Sequence, residues 1–463
     1  MGATSIRTSS ATLAVCALFA VGEGSPKALT HCVPGDFPEI GSALNAANSG
    51  DTLSLSLAGS PFGEALVIDA DRLDTLTIIG EPVELRPVIS GDGTEAAIIT
   101  IEAGSGAPAR LSLLDLTLNG YDTAEFGILA NTSRTWDEEP LLELRMERVS
   151  IFSCEFGMQL GRRTGAIGCT ENWGSVNYNK LEQARNLIRF KNCTIGDCGL
   201  DGLNMYRVNG EIDGCLFAHN GDEGVHTTAA KQFEIRHTIF IENKDVGVHF
   251  QLGEDIRFEN NLVLTTGRLG YGISIEGLLG GEAARIHNNV IGRNNSSGLK
   301  ISPCSLKYDE DNCVAVPASA RVHNNIFAFN GIGPPGTGTR EDLHFRSDGF
   351  PGMQLIARHN LFEDRAHASN AQLDETNLLG VGPGFVLGHE FKQLTALWNP
   401  DETDPLEVAR SLVFDLSLAD NSTAIDAGED SLRFEDGGGY ARGTTRNDIG
   451  AFGGPLSDWG IEP

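Results

Sequence analysis

The sequence predicts an all-β chain wound as a right-handed parallel β-helix, a three-sheet solenoid with an N-terminal capping helix and loop insertions. Three observations predict it. A short segment built around a polar pair recurs along the chain, and a glycine-led strand of period two follows most copies. The composition, 56 glycines and 7% aromatics in 463 residues without a heptad pattern, suits a turn-rich chain.

The recurring segment reads RFKNCTI from Arg189, EIDGCLF from Glu211, EIRHTIF from Glu234, RFENNLV from Arg257, RIHNNVI from Arg285, RVHNNIF from Arg321 and ARHNLF from Ala357. The second member of its polar pair is Cys193, Cys215, Thr238, Asn261, Asn289, Asn325 and Asn360, at spacings of 22, 23, 23, 28, 36 and 35 residues. The shorter spacings fit one coil, and the longer ones imply loops inserted between fixed strands. The strands that follow are GLNM at Gly202, GVHT at Gly224, GVHF at Gly247, GISI at Gly272 and GLKI at Gly298. Alternation puts Leu203/Met205, Val225/Thr227, Val248/Phe250, Ile273/Ile275 and Leu299/Ile301 inside, with the residues between them facing solvent. Copies at Phe126, Phe156 and Asp342 extend the stack. Coils ~4.8 Å apart bring equivalent residues into ladders. Asn261, Asn289, Asn325 and Asn360 are therefore expected to bond one another inside, and Phe217 to stack on Phe240 and Phe327 on Phe362.

With these segments the chain resembles the bacterial right-handed parallel β-helix proteins of the pectate-lyase-like superfamily, from about residue 35 onward. PEIGSALNAANSGDTLSLSLAG from Pro38, then GEALVID from Gly63, is similar to that superfamily's capping helix and first strand. FDLSLADNSTAIDAG from Phe414 and DIGAFGG from Asp448 are similar to the ending of exported members. The expected units are 1–22, a signal peptide; 23–110, the cap and first coils; 111–379, the central coils; and 380–463, a C-terminal coil and cap. They form one continuous domain from about residue 35.

The signal peptide rests on Arg7 followed by the apolar run from Ala11 to Gly22, which is too short to span a bilayer. Cleavage after it would remove Cys16 and leave eight cysteines in a secreted or cell-surface protein without a membrane span. Disulfides are expected there, with Cys304–Cys313 as a local bridge, whereas Cys193/Cys215 and Cys154/Cys198 read first as stacked buried thiols. A net charge of −29 repels nucleic acid and anionic membrane, so an acidic ligand needs a local basic site or a bridging cation. The expected partner is a polysaccharide or cell-surface glycan, and the expected state a monomer.

The position between the inward residues holds Gln159, Asn204, His226, His249, Ser274, Lys300 and His344; two residues on lie Tyr206, Thr228, Gln251, Glu276, Ser302 and Arg346. The resemblance implies that this sheet face carries a sugar-binding groove, with the insertions from Gly161 to Arg185 and from Ser302 to Ala320 as walls. Asp201, Asp222, Glu223 and Asp245 precede the strands in adjacent coils and cannot all ionise cheaply. They read as solvated turn residues, as a Ca²⁺ site for uronates, or as an acid/base pair for glycoside cleavage. His226 and His249 are expected to depress each other's protonation, leaving a neutral base for β-elimination. In that scheme His226 or His249 takes the C5 proton, Lys300 or Arg346 clamps the carboxylate and Tyr206 donates a proton. Asn204, Gln251, Glu276, His344 and Arg346 would bind substrate. The polygalacturonase motif set and the DPH motif of mannuronan epimerases are absent. A lyase on an acidic polysaccharide, a glycoside hydrolase and a non-catalytic glycan-binding or adhesion protein all remain open.

Overall fold

The computed structural model describes residues 28–81, 86–90, 96–103, 108–131, 142–161, 186–264, 270–278, 280–302, 318–331, 341–345, 353–363, 373–385, 416–430, 436, 441–444 and 446–454. The signal peptide, Cys304–Cys313, Arg346 and nearly all of both expected wall insertions lie outside them. No helix among the described residues is long and apolar enough to cross a membrane.

A right-handed parallel β-helix results. Each coil contributes a strand to a glycine sheet, then an arginine sheet, then a narrow sheet, as in Leu203–Tyr206, Val208–Asp213 and Leu216–Ala218. Each strand pairs in parallel with its counterpart in the next coil. Among the described residues the narrow sheet has 12 strands; the other two merge into one of 21, because Val248–Glu259 runs unbroken around their shared corner. The glycine-led motif has a steric cause. A Cβ on Gly224 would stand 2.7 Å from the Gly247 carbonyl oxygen, and one on Gly247 would stand 2.6 Å from that of Gly272.

The polar pair makes the corner between the arginine and narrow sheets. Its first member adopts a left-handed conformation, at φ 55° in Asn260, 53° in Asn288 and 57° in Asn324, which asparagine tolerates better than most side chains. Its second member forms the expected ladder. The amides of Thr238, Asn261, Asn289 and Asn325 each donate to the side-chain oxygen of the next coil's asparagine, at 2.9–3.0 Å. Asn377 extends the ladder by one coil beyond Asn360. Every interior residue predicted from the glycine strands is buried, and Phe217–Phe240 and Phe327–Phe362 stack at 5.1 and 5.0 Å. A second ladder, unforeseen, links Asn220 to Asn243 and Asn294 to Asn330 at the opposite corner of the narrow sheet.

The predicted cap is the helix Ile40–Ala46, whose first amides, Ile40 and Gly41, donate to the Glu64 carboxylate at 2.9 and 2.8 Å. At the other end, Phe385, Leu416, Leu418, Ala424, Ile449 and Phe452 pack on Leu216, Ile239, Leu262, Val290, Ile326 and Leu361, the outward residues of the narrow sheet. Asn260 Nδ2 fastens this C-terminal strap by donating to the carbonyls of Ala451 and Gly453. Cys154, Cys193, Cys198 and Cys215 are buried free thiols, the Cys193 amide meeting Cys215 Sγ at 3.4 Å.

Candidate functional site

The glycine sheet places Gln159, Asn204, His226, His249, Ser274, Lys300 and His344 in one axial row, residue on residue, as the period-two reading requires. Tyr206, Thr228, Gln251, Glu276 and Ser302 form the neighbouring row. One expectation fails here. These outward residues are not open to solvent: Asn204 is 4% exposed, Ser274 2%, and the His249 and Lys300 side chains 12% and 13%. Coil spacing presses each against its axial neighbours, and ion pairs join the rows.

The two histidine rings stack at 4.9 Å between centroids and 22° between planes. His249 Nδ1 lies 3.2 Å from Glu223 Oε1, and its Nε2 faces Glu276 Oε2 at 3.6 Å. Lys300 Nζ donates to Glu276 Oε1 at 2.6 Å. Asn204 Nδ2 donates to Asp201 Oδ2 at 2.7 Å, and the Glu223 amide donates to Asp201 Oδ1. A chain of ion pairs thus runs through consecutive coils from Glu223 to Lys300, with Asp201 beside its first member. His344 stands apart, paired with Glu341 at 2.7 Å; Thr228 Oγ1 donates to Gln251 at 3.3 Å.

The electrostatics correct a second expectation. Burial opposes a charge on His249, but its hydrogen bonds with Glu223 and Glu276 outweigh that and push it up to about 9. His249 is therefore an imidazolium at neutral pH, not the neutral base that mutual repulsion with His226 would give. Burial and the charge of Glu223 drive Asp201 well above the usual carboxylate range. Glu223 resists burial through its bond with His249 and stays well below that range, so the proton the pair shares resides on Asp201. Glu276, also buried, is held low by His249 and Lys300.

Of the four predicted metal carboxylates, Asp201, Asp222 and Glu223 bring ligand oxygens within 4.8 Å of one another, and Asp245 does not join that cluster. They are the residues that would hold a calcium ion, although Asp201 spends both oxygens on protein donors. Calcium takes about 6–8 oxygens, and two imidazoles occupy the other flank of Glu223. Sequence reasoning missed Tyr271, whose ring lies 4.9 Å from Lys300 Nζ. The signal was available: Tyr271 stands two residues before Ile273, as Glu223 does before Val225 and Asp201 before Leu203. A concavity of about 450 Å³ lies elsewhere, on the arginine sheet, lined by the outward Arg189, Glu211, Glu234 and Arg257.

Fold and repeat together define a right-handed parallel β-helix protein. A family model described as a right handed beta helix region matches residues 180–333. No curated protein matches the sequence. Among solved structures the chain is similar to the pectate lyase Pel9A, at 16% identity and TM-score 0.48 over 92% of this chain and 96% of that one. It is also similar to the A-module of the mannuronan C-5 epimerase AlgE6 of Azotobacter vinelandii, at 14% identity and TM-score 0.44, covering 71% and 82%. A third, the periplasmic alginate epimerase AlgG, shares 12% identity at TM-score 0.28, over 67% and 77%. These likenesses are of fold.

Proposed function

We propose that the protein acts on an acidic polysaccharide along the outer face of the glycine sheet, cleaving it by β-elimination. The observation that carries the reading is the chain of buried, alternating charge through Glu223, His249, Glu276 and Lys300 on outward positions of consecutive coils. A coil rise of ~4.8 Å is close to the length of one pyranose unit, so a glycan laid along the axis meets about one coil per sugar. His249 and Lys300 are the cations that stabilise a uronate carboxylate as its C5 proton leaves. Because His249 is already protonated, the base's part falls to His226, stacked upon it. Tyr206, the outward residue two positions after Asn204, is the proton donor to the leaving oxygen. The N-terminal apolar run supports action outside the cell.

Paired carboxylates for hydrolysis fit less well. Asp201 and Glu223 share a proton across a direct contact, whereas glycosidases hold their two carboxyls about 5 Å or more apart. A glycan-binding role without turnover has one observation in its favour, namely that His249, Glu276 and Lys300 already satisfy one another.

Incubation with a panel of polyuronates tests the proposal. Unsaturated ends absorbing in the ultraviolet are expected, with a loss of about 10²–10⁴-fold in His226→Ala. Binding without product would establish the glycan-binding role, new reducing ends without unsaturation would establish hydrolysis, and either would overturn elimination.

A further inference from the structure

We infer that Glu223, His226 and His249 form a binding site for a divalent transition cation of the zinc type. Their ligand atoms lie within 4.8 Å of one another. Both histidines project from paired strands of adjacent coils, so the site is organised by the sheet itself. Three further observations point to a ligand there.

The first is a distance. His249 Nδ1 and Glu223 Oε1 are 3.2 Å apart. A charge-assisted hydrogen bond prefers ~2.7–2.9 Å. Two donors on one tetrahedral zinc with bonds of ~2.0–2.1 Å stand about 3.3 Å apart, which the observed separation approaches. The second is a pair of buried polar atoms without hydrogen-bond partners, Asn204 Oδ1 and Ser274 Oγ. Asn204 precedes His226 in the row and Ser274 follows His249, so the orphaned atoms flank the two rings. Buried groups left unsatisfied mark places where an ion, water or ligand completes the bonding. The third is the support around the donors. Glu276 faces Nε2 of His249 while Nδ1 points to Glu223, the carboxylate–histidine arrangement that orients metal-bound imidazoles. Asp201 accepts from the Glu223 backbone amide and shares a hydrogen bond with its carboxyl, which fixes the position of that donor.

Two imidazoles and one carboxylate suit zinc and its neighbours, not calcium, which takes oxygen ligands. Binding sets the metal between His249 Nδ1 and Glu223 Oε1, releases the Nδ1 proton to solvent and draws the His226 ring toward the metal by a small side-chain rotation. Where the elimination reading holds, zinc also occupies the lone pair of the proposed base, so it inhibits. The metal site itself does not depend on that reading.

The test is isothermal calorimetry of the full chain, stripped with chelator, titrated with Zn²⁺ and separately with Ca²⁺. One saturable zinc equivalent is expected, weakened about 10–100-fold or more by His226→Ala and by His249→Ala and unaffected by His237→Ala at the corner that follows the arginine-sheet strand Lys231–Arg236. Glu223→Gln, which keeps the side chain's shape, should weaken zinc without altering the melting temperature of the metal-free protein by more than a few degrees. Replacing zinc by Co²⁺ in the unaltered chain gives a readout independent of any variant: visible d–d bands of a nitrogen- and oxygen-ligated ion. No saturable zinc binding, binding unchanged in both histidine variants, or calcium displacing zinc at equal concentration would each overturn the site. None of these results depends on whether any polysaccharide is cleaved.

Discussion

On the narrow sheet the outward side chains Leu216, Ile239, Leu262, Val290 and Ile326 are apolar and lie beneath the C-terminal strap. On the glycine sheet the outward Asn204, His226, His249, Ser274 and Lys300 are polar and almost as well shielded. Both faces come from the same repeat, so the coil geometry does not force the difference. Aliphatic residues are the cheaper way to fill a covered face, because a charge removed from water must be paired to be tolerated. The narrow sheet shows that this chain uses that solution when only stability is at stake. The ion chain of the glycine sheet therefore reads as retained for what it does.

This contrast can be broken from either side. The largest effect belongs to the apolar face, where Phe452→Ala should cost about 3–5 kcal/mol in chemical denaturation while leaving the glycine-sheet chemistry intact. On the polar face, Glu276→Ala strands Lys300 and His249 without their shared anion and should cost about 3 kcal/mol. The double replacement Glu276→Met with Lys300→Met sharpens the point. Stability should return to that of the parent or exceed it by about 1–3 kcal/mol, while action on acidic polysaccharide is lost. If activity survives the double replacement, the ion chain is only structural.

A smaller effect comes from pH. Burial pushes Asp436 up to about 7 and Asp448 up to about 6, with Asp426 adding like charge and the Arg442 and Gly454 amides bonding the pair. A carboxyl raised above its unfolded value of ~3.9 binds more protons when folded, so its contribution is full in acid and is lost as pH rises from about 4 through 7. Amide exchange in the strap, corrected for intrinsic rates, should be more protected at pH 5 than at pH 8, and Asp436→Asn should flatten the difference. The smallest effect is expected on the arginine sheet, where Arg257→Ala removes an exposed pairing with Asp255 and should change stability by less than about 0.5 kcal/mol.

What the sequence made legible follows from periodicity. The asparagine ladder, the interior of each glycine strand and the axial row through His226, His249 and Lys300 all repeat at fixed offsets, and register carries them directly into space. The state of His249 was hidden for the same reason. Its two controlling carboxylates, Glu223 and Glu276, lie in different rows and different coils, at offsets that no single repeat unit displays. The strap was hidden by distance, since Asn260 and Ala451 are 191 residues apart. Nothing local marked Leu216 or Ile239 as covered rather than inward.

The most direct test of the glycine-sheet assignment is to follow the ring resonances of the histidines while uronate oligosaccharides of increasing length are added. His226 and His249 are predicted to shift in a saturable, length-dependent way, with His287 on the arginine sheet and His237 at the corner beyond it unmoved and neutral oligosaccharides without effect. Saturable shifts confined to His237 or His287, or no shift with any uronate, would contradict that assignment.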